Sequence, residues 1–160
     1  MKKKGFTLVE LLAVIAILAI LVIIALPNVM GMFNNAKKSS FETEVKNIIK
    51  YAGTEWMTKS LSMASGNTSV EFYTKDGNNK ITSLDSRDAL KYYVKMDATG
   101  KITGLYVYDG TYAYSSTKTG LRAEDVKTDD IKVIADLKST DKEGSTNYPK
   151  GFTTTVTGKF

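Results

Sequence analysis

The feature that most constrains this chain is an apolar run over residues 6–26, interrupted only by Thr7 and Glu10. As an α-helix rising about 1.5 Å per residue, the run is roughly 32 Å long, which suits the hydrocarbon core of a bilayer. Three lysines at positions 2–4 precede it and are expected to remain in the cytoplasm. The sequence therefore predicts one membrane-crossing helix, with the chain beyond Pro27 on the outer side.

The apolar run is longer than the core of a secretory signal peptide, which holds about 7 to 15 apolar residues and ends in a small-residue cleavage site. Here the far end reads ALPN over residues 25–28, which is a poor cleavage site. An ordinary signal anchor explains the length and the flanking lysines but not Glu10. A carboxylate at the centre of a membrane helix costs about 2.5 to 3.5 kcal/mol, so such groups are usually paired or functional.

Residues 4–10, with the sequence KGFTLVE, resemble the processing site of the type IV pilin family, which includes the pseudopilins of type II secretion and competence machines. The shared features are a short basic leader ending in glycine and an apolar helix opening with Phe-Thr-Leu-Val-Glu. The resemblance implies that a prepilin peptidase cuts between Gly5 and Phe6 and that the new amine of Phe6 is methylated. Residues 1–5 are then a leader peptide.

The same resemblance implies a role for Glu10 in subunit assembly. Cleavage creates a positive charge at Phe6 that the precursor does not have. In a family-like filament, Glu10 of one subunit pairs with the Phe6 amine of a neighbour, in surroundings of low dielectric constant. A pair that forms only between processed and correctly staggered chains specifies register more than it adds stability.

The helix is expected to be weakest near Pro27 and Gly31. Proline lacks a backbone donor and clashes with the carbonyl of Ile23, and glycine is a poor helix former. In the resembled family, a proline at this place marks a stretch that kinks or loses helicity when subunits pack. A simple bend at the membrane exit is the alternative, and the sequence does not separate the two.

Helical periodicity resumes beyond this point, and the helix is predicted to end near Ser65. The opposite face is polar and offers two i,i+4 pairs, Glu42 with Lys46 and Glu55 with Lys59. We expect the apolar stripe to pack on the chain's own sheet rather than to form a groove for a partner. That stripe consists of Phe41, Val45, Ile48, Ile49, Ala52 and Trp56.

From Val70 onward the apolar period becomes two, which predicts strands. Residues 91–96 and 102–108 form two of them around a turn at 97–100, and Asp109-Gly110 signals a two-residue hairpin loop. Such a loop sets three pairs opposite one another: Tyr108 and Thr111, Val107 and Tyr112, Leu105 and Tyr114. We predict that the helical stripe contacts one face, which comprises Tyr92, Val94, Met96, Leu105, Val107, Tyr112 and Tyr114.

The predicted fold class is α+β: a long N-terminal α-helix, first transmembrane and then amphipathic, packed against a small antiparallel sheet, as in pilins. The predicted segments are the leader 1–5, the transmembrane and assembly helix 6–26, its amphipathic continuation 27–65 and a globular β head 66–160. The end of the head is harder to interpret. Short helices or strands are expected at 123–126 and 130–137, a polar loop at 138–150 and an edge strand at 152–156.

The composition removes several classes of chemistry. The chain has no Cys and no His, which excludes disulfides, thiol nucleophiles, imidazole bases and the usual zinc sites. Many Gram-negative pilins close the end of the head with a disulfide loop, so this chain fits Gram-positive relatives better. No carboxylate pair stands out as a catalytic acid and base. We therefore expect no enzyme activity, no catalytic residue and no cofactor.

Metal and nucleic-acid sites receive little support. Residues 74–80 resemble a calcium loop, but Lys80 replaces an oxygen ligand, so a solvated turn is favoured. Asp129 and Asp130 are better explained as the start of a short helix than as ligands of an ion. The net charge is +5, but without the three leader lysines the remaining 19 of the 22 basic residues nearly balance the 17 acidic ones. Outward-facing Tyr106 and Tyr108 could stack on bases or sugars, although sheet packing is favoured.

Three functions follow from these observations. The first is a structural pilin that polymerises with itself into an extracellular helical filament for adhesion, motility or DNA uptake. Its partners, implied by the resemblance, are the prepilin peptidase, an assembly platform protein, cytoplasmic ATPases and, before assembly, the membrane. The second is a pseudopilin with a shorter fibre. The third is a membrane-tethered binding module or enzyme that merely begins with an anchor.

Overall fold

The computed structural model describes residues 5–61, 69–74, 79–84 and 89–133. The chain divides into two compact units, Met1–Lys37 and Lys38–Phe160. The first unit holds the N-terminal part of the single long helix. The second holds the rest of that helix and a sheet, so the fold class is α+β, as predicted.

Helix α1 runs from Leu8 to Ser60 and passes through Pro27 and Gly31 without interruption. The kink or loss of helicity expected there in packed subunits stays a prediction. The helix ends at Ser60 in the described part of the chain, and the predicted end near Ser65 lies outside the described residues. The Ser60 hydroxyl donates a hydrogen bond of 2.8 Å to the carbonyl of Met57, a local bond that competes with continued helix.

In its described part, the second unit contains one antiparallel sheet of five strands, in which every strand pairs with the next one in the chain. The order is β1-β2-β3-β4-β5, which is the predicted meander. The strands are β1 Ser69–Tyr73, β2 Lys91–Asp97, β3 Ile102–Tyr108, β4 Tyr112–Ser116 and β5 Lys132–Val133. The predicted turn between β2 and β3 is present, with the Asp97 carboxylate accepting hydrogen bonds from the backbone of Thr99 and of Lys101.

The core lies between one face of this sheet and the C-terminal half of α1, which confirms the predicted packing. Five of the six stripe residues are buried, and Trp56 is partly buried against the same cluster. The rings of Phe41 on α1 and Tyr112 on β4 lie 6.1 Å apart between centroids. The sheet residues predicted for this face all belong to the core: Tyr92, Val94, Met96, Leu105, Val107, Tyr112 and Tyr114.

The predicted register of the β3–β4 hairpin was wrong by two residues. Tyr108 lies opposite Ala113 and Val107 opposite Tyr114, so the loop is longer than two residues. The reason is the side chain of Asp109, whose Oδ1 atom accepts hydrogen bonds from the backbone N–H of Thr111 and of Tyr112, at 2.9 and 2.7 Å. A shift of two residues keeps every side chain on its face, which is why the predicted core survived the error.

The other face of the sheet is also buried along β2 and β3. Tyr106 and Tyr108 were expected to point outward as possible stacking platforms, but they are only 2% and 1% exposed. The interpretation as sheet packing is therefore correct for them. On β1, the Glu71 carboxylate accepts hydrogen bonds from the hydroxyls of Tyr73 and Tyr93, and the centroids of these two rings lie 5.1 Å apart.

Two carboxylates of α1 connect the helix to distant parts of the head. Glu42 binds Lys46, as predicted, and also accepts a hydrogen bond from the Thr128 hydroxyl. These two partners, the Lys46 ammonium first, lower the pKa of Glu42. The expected pair of Glu55 with Lys59 was wrong, because Glu55 instead accepts hydrogen bonds from the backbone N–H and hydroxyl of Thr82.

The C-terminal region is only partly described. For residues 123–126 the sequence predicts either a short helix or a short strand, and the structure has a one-turn 3₁₀ helix at Ala123–Asp125. A second turn at Thr128–Asp130 contains Asp129 and Asp130, as expected of a short helix start. The predicted loop 138–150 and edge strand 152–156 lie outside the described residues, as do residues 75–78 of the segment 74–80, for which a solvated turn is favoured over a calcium loop.

Candidate functional site

The predicted cleavage site lies in non-helical chain ahead of the helix. Gly5, Phe6 and Thr7 are not helical, and α1 begins at Leu8. Phe6 is 90% exposed, and a Cβ added at Gly5 would meet no atom within 4 Å. The peptide bond between Gly5 and Phe6 is thus open to an enzyme, whereas a bond inside the helix would be shielded by the backbone hydrogen bonds around it.

Thr7 and Glu10 form a reciprocal cap at the start of α1. The Glu10 carboxylate accepts two hydrogen bonds of 2.8 Å, from the backbone N–H and from the hydroxyl of Thr7. In return, the Thr7 hydroxyl oxygen accepts a hydrogen bond of 3.3 Å from the Glu10 N–H. This is the capping box, in which residues three apart satisfy backbone donors that the first turn leaves without a partner.

The cap changes the interpretation of Glu10. From the sequence, its carboxylate is expected to lack a partner until cleavage supplies one. In the single chain, two donors of Thr7 already stabilise the carboxylate, which lessens the cost of placing it at the edge of an apolar segment. Thr7 is the residue that sequence analysis missed, although the pattern Thr-x-x-Glu before an apolar run is a known sequence signal for this cap.

The helix that follows exposes an apolar surface on all sides within the first unit. Every described residue from Gly5 to Lys37 is exposed, including large side chains up to Met32 and Phe33. By length and composition, α1 is able to cross a membrane. A helix that is apolar all round is stable only inside a membrane or inside a packed bundle.

Pro27 and Gly31 lie inside this exposed stretch of α1. A Cβ at Gly31 would meet no atom within 4 Å, so no packing contact explains the glycine in the single chain. Proline leaves one carbonyl of the preceding turn without its helical partner. Their predicted role as a point of bending stays a prediction.

The head offers no comparable chemical site in its described part. A cleft of about 710 Å³ lies beside β4 and is lined by Tyr114, Lys118, Asp125 and other polar side chains, with Lys118 paired to Asp125 at 2.6 Å. That pair lowers the pKa of Asp125, and burial raises the pKa of Tyr114. Among the described residues, no group of three acidic, His or Cys side chains could hold a metal ion.

Comparison with known proteins supports the assignment of the N-terminal site. Residues 1–26 match a family described as the prokaryotic N-terminal methylation motif. No curated protein and no solved structure matches the chain. The chain thus carries the class III signal peptide of type IV pilins, followed by a pilin-like α+β fold. The motif and the apolar helix fit a membrane-anchored precursor of the pilin or pseudopilin kind.

Proposed function

We propose that this protein is the structural subunit of an extracellular filament, a type IV pilin. A prepilin peptidase removes residues 1–5, the amine of Phe6 is methylated, and the mature chains polymerise through their apolar helices. The observation that carries the proposal is the N-terminal segment itself. An exposed Gly5–Phe6 bond precedes a capped helix whose apolar surface is exposed on every side, and residues 1–26 match the methylation motif.

The driving force for assembly is packing of these helices against one another. In the membrane, lipid tails already cover the apolar side chains, so removal from the membrane requires a bundle that covers them equally well. Large side chains from Leu8 to Phe33 are more than half exposed in the single chain. In a helical filament, these side chains pack against the same apolar side chains of the neighbouring subunits.

Glu10 then exchanges its local partner for an intermolecular one. In the precursor, the nitrogen of Phe6 belongs to a peptide bond and carries no charge. After cleavage it is a cation, which is a stronger partner for a carboxylate than the neutral donors of Thr7. Glu10 of one subunit pairs with Phe6 of its neighbour, and this pair sets the stagger between helices. Mispaired subunits leave a buried charge without compensation, which is strongly unfavourable.

Assembly requires general machinery rather than any catalytic group of this chain. The proposed partners are the prepilin peptidase, an assembly platform protein, cytoplasmic ATPases and other copies of the subunit. The filament serves adhesion, motility or DNA uptake. A pseudopilin, which forms a shorter fibre by the same physics, is the second candidate, because the N-terminal motif is common to both kinds of protein. A tethered binding module is the third.

Two measurements test the proposal. Mass spectrometry of the protein extracted from its native cells should find a chain that begins at methylated Phe6. Glu10→Gln and Glu10→Ala should still be inserted and cleaved but should yield far less filament, because the charge that fixes the stagger is gone. Glu124→Gln is a matched control, because it removes an exposed carboxylate of the head rather than of the apolar helix, and it should keep the filament yield.

The outcomes separate the three candidates. An intact Met1 in the native protein would contradict processing and favour a tethered module. Filament yield that is unchanged in Glu10→Ala would remove the proposed pairing. Electron microscopy of sheared surface fibres, labelled with an antibody against residues 66–160, distinguishes a pilin from a pseudopilin by the length of the fibres.

A further inference from the structure

A lysine at the end of α1 contacts an asparagine of the connection between β1 and β2, and a glutamate one helical turn away binds the same connection at Thr82. The Nζ atom of Lys59 donates a hydrogen bond of 3.1 Å to the Oδ1 atom of Asn79, and the contact is partly buried. Glu55 lies one helical turn before Lys59 and is 8% exposed. An amine, a carboxamide and a carboxylate thus occupy one small region of the head.

The short segment 79–82 is held firmly against both the helix and the sheet. Glu55 accepts hydrogen bonds from the backbone N–H and the hydroxyl of Thr82, at 3.2 and 2.8 Å. The carbonyl of Asn79 accepts a hydrogen bond of 2.9 Å from the N–H of Tyr73, and the N–H of Ile81 donates to the Tyr92 hydroxyl at 2.9 Å. The carboxamide of Asn79 is therefore presented to Lys59 with little freedom, which favours an intramolecular reaction.

The surroundings of Lys59 are partly apolar. Its ammonium group lies 5.3 Å from the centroid of the Phe72 ring, and Phe72 itself is fully buried. The ring limits the access of water to one side of the amine, which donates to Asn79 on another side. Glu55 lies at i,i+4 spacing from Lys59 on one helix face, and a rotamer change that releases Thr82 brings its carboxylate toward the amine. The hydrogen bonds of Asn79 with Tyr73 and of Ile81 with Tyr92 do not involve Glu55 and keep the segment in place during that change.

From this geometry we propose that Lys59 and Asn79 form an intramolecular isopeptide bond, with Glu55 as the group that moves protons. Glu55 accepts a proton from the Lys59 ammonium, and the neutral Nζ atom attacks the Cγ atom of Asn79. A bond forms between Nζ and Cγ, and the bond from Cγ to Nδ2 breaks. The second amine proton and the proton on Glu55 pass to the departing nitrogen. An ammonium and a carboxamide thereby become a secondary amide and an ammonium ion.

The isopeptide bond would give the head a covalent crosslink, which this chain is unable to form as a disulfide. A chain without cysteine has no disulfide, yet a head on the outside of the cell gains from a covalent closure. A link between residues 59 and 79 ties the end of α1 to the connection after β1. It restricts the unfolded chain in the same manner as a disulfide does. The inference concerns the head alone and does not depend on the proposed filament.

Mass spectrometry of the full-length protein tests the inference directly. The bond lowers the intact mass by about 17 Da, the mass of ammonia. A tryptic digest should lack cleavage after Lys59 and should contain a branched peptide that joins Lys59 to Asn79. Lys59→Arg and Asn79→Ala should each abolish the branched peptide, whereas Lys50→Arg, a matched change at an exposed lysine of α1, should retain it.

Glu55→Gln separates chemistry from structure, because the amide oxygen of Gln still accepts hydrogen bonds from Thr82 but takes no proton. The variant should fold, as judged by circular dichroism, and should form little or no branched peptide. A wild-type digest with normal cleavage after Lys59 and no branched peptide would overturn the inference. A loss of about 17 Da without the branched peptide would overturn it equally, since cyclisation of an asparagine alone gives that mass change. A Glu55→Gln protein that crosslinks like wild type would overturn the role of Glu55.

Discussion

The indole ring of Trp56 occupies the space beside Gly100, so that a Cβ added at Gly100 would lie 2.8 Å from the ring atom Cε3. Gly100 has a φ of +80° in the turn between β2 and β3. A side chain at position 100 is therefore unfavourable for two reasons. The backbone has a positive φ, and the Trp56 ring occupies the space that the Cβ would take.

Gly100→Ala should destabilise the head more than Gly110→Ala. Gly110 also has a positive φ, of +98°, but no atom lies within 4 Å of the added Cβ. The backbone alone should cost about 1 to 2 kcal/mol at either site, and overlap with Trp56 should add about 1 to 3 kcal/mol at Gly100. Denaturant unfolding of the full chain in detergent, followed by the circular dichroism of the sheet, measures both. Equal destabilisation of the two variants would contradict the contact with Trp56.

Thr7→Val should loosen the start of α1. Valine has nearly the shape of threonine but lacks the hydroxyl that bonds to Glu10. Loss of a helix cap costs about 0.5 to 2 kcal/mol. Amide hydrogen exchange at residues 8–11 in detergent should become faster, whereas Thr7→Ser, which keeps the hydroxyl, should exchange like wild type. If Thr7→Val also exchanges like wild type, the cap contributes nothing in the membrane-like environment.

Asp109→Ala should weaken the β3–β4 hairpin. The Asp109 carboxylate accepts hydrogen bonds from the backbone N–H of Thr111 and of Tyr112, and alanine leaves both donors to water. We expect a loss of about 1 to 2 kcal/mol in the free energy of unfolding. Asp109→Asn is the control, since its amide oxygen accepts the same hydrogen bonds. A loss in Asp109→Asn as large as in Asp109→Ala would indicate that charge, rather than these bonds, matters.

The head should lose stability in acid when the Glu42 carboxylate becomes protonated. Its pKa is lowered, first by the Lys46 ammonium and then by the Thr128 hydroxyl, from a usual value of 4.5. Because the folded pKa lies below the unfolded one, this stabilisation is complete above about pH 4.5 and is lost as the pH falls through the folded pKa. Glu42→Gln should therefore lose less stability than wild type between pH 6 and pH 3.

Thermal unfolding of the full chain at a series of pH values measures this difference. Thr128→Val should have an intermediate effect, because it removes one of the two partners and leaves Lys46 in place. Wild type and Glu42→Gln with the same loss of melting temperature on acidification would show that Glu42 is not among the responsible groups.

Local periodicity accounts for the parts of this protein that could be predicted. The stripe from Phe41 to Trp56 and the core face of β2, β3 and β4 follow from the 3.6 and 2.0 residue repeats of helix and strand. These repeats are properties of the backbone, so they fix which side chains share a face whatever the partner is. For this reason the prediction of the core face of β4 was correct, even though Tyr114 lies opposite Val107 rather than opposite Leu105 as predicted.

By itself, the sequence determined the cleavage motif, the apolar helix and the two faces of each element, because these depend on neighbours within a turn or two along the chain. Only the tertiary structure decided the hairpin register, the partner of Glu55 and the burial of Tyr106 and Tyr108. Those features depend on which of several competing donors, acceptors and surfaces lie closest in space. That competition is settled by atoms far apart in the chain, such as Glu55 and Thr82, which no local repeat relates.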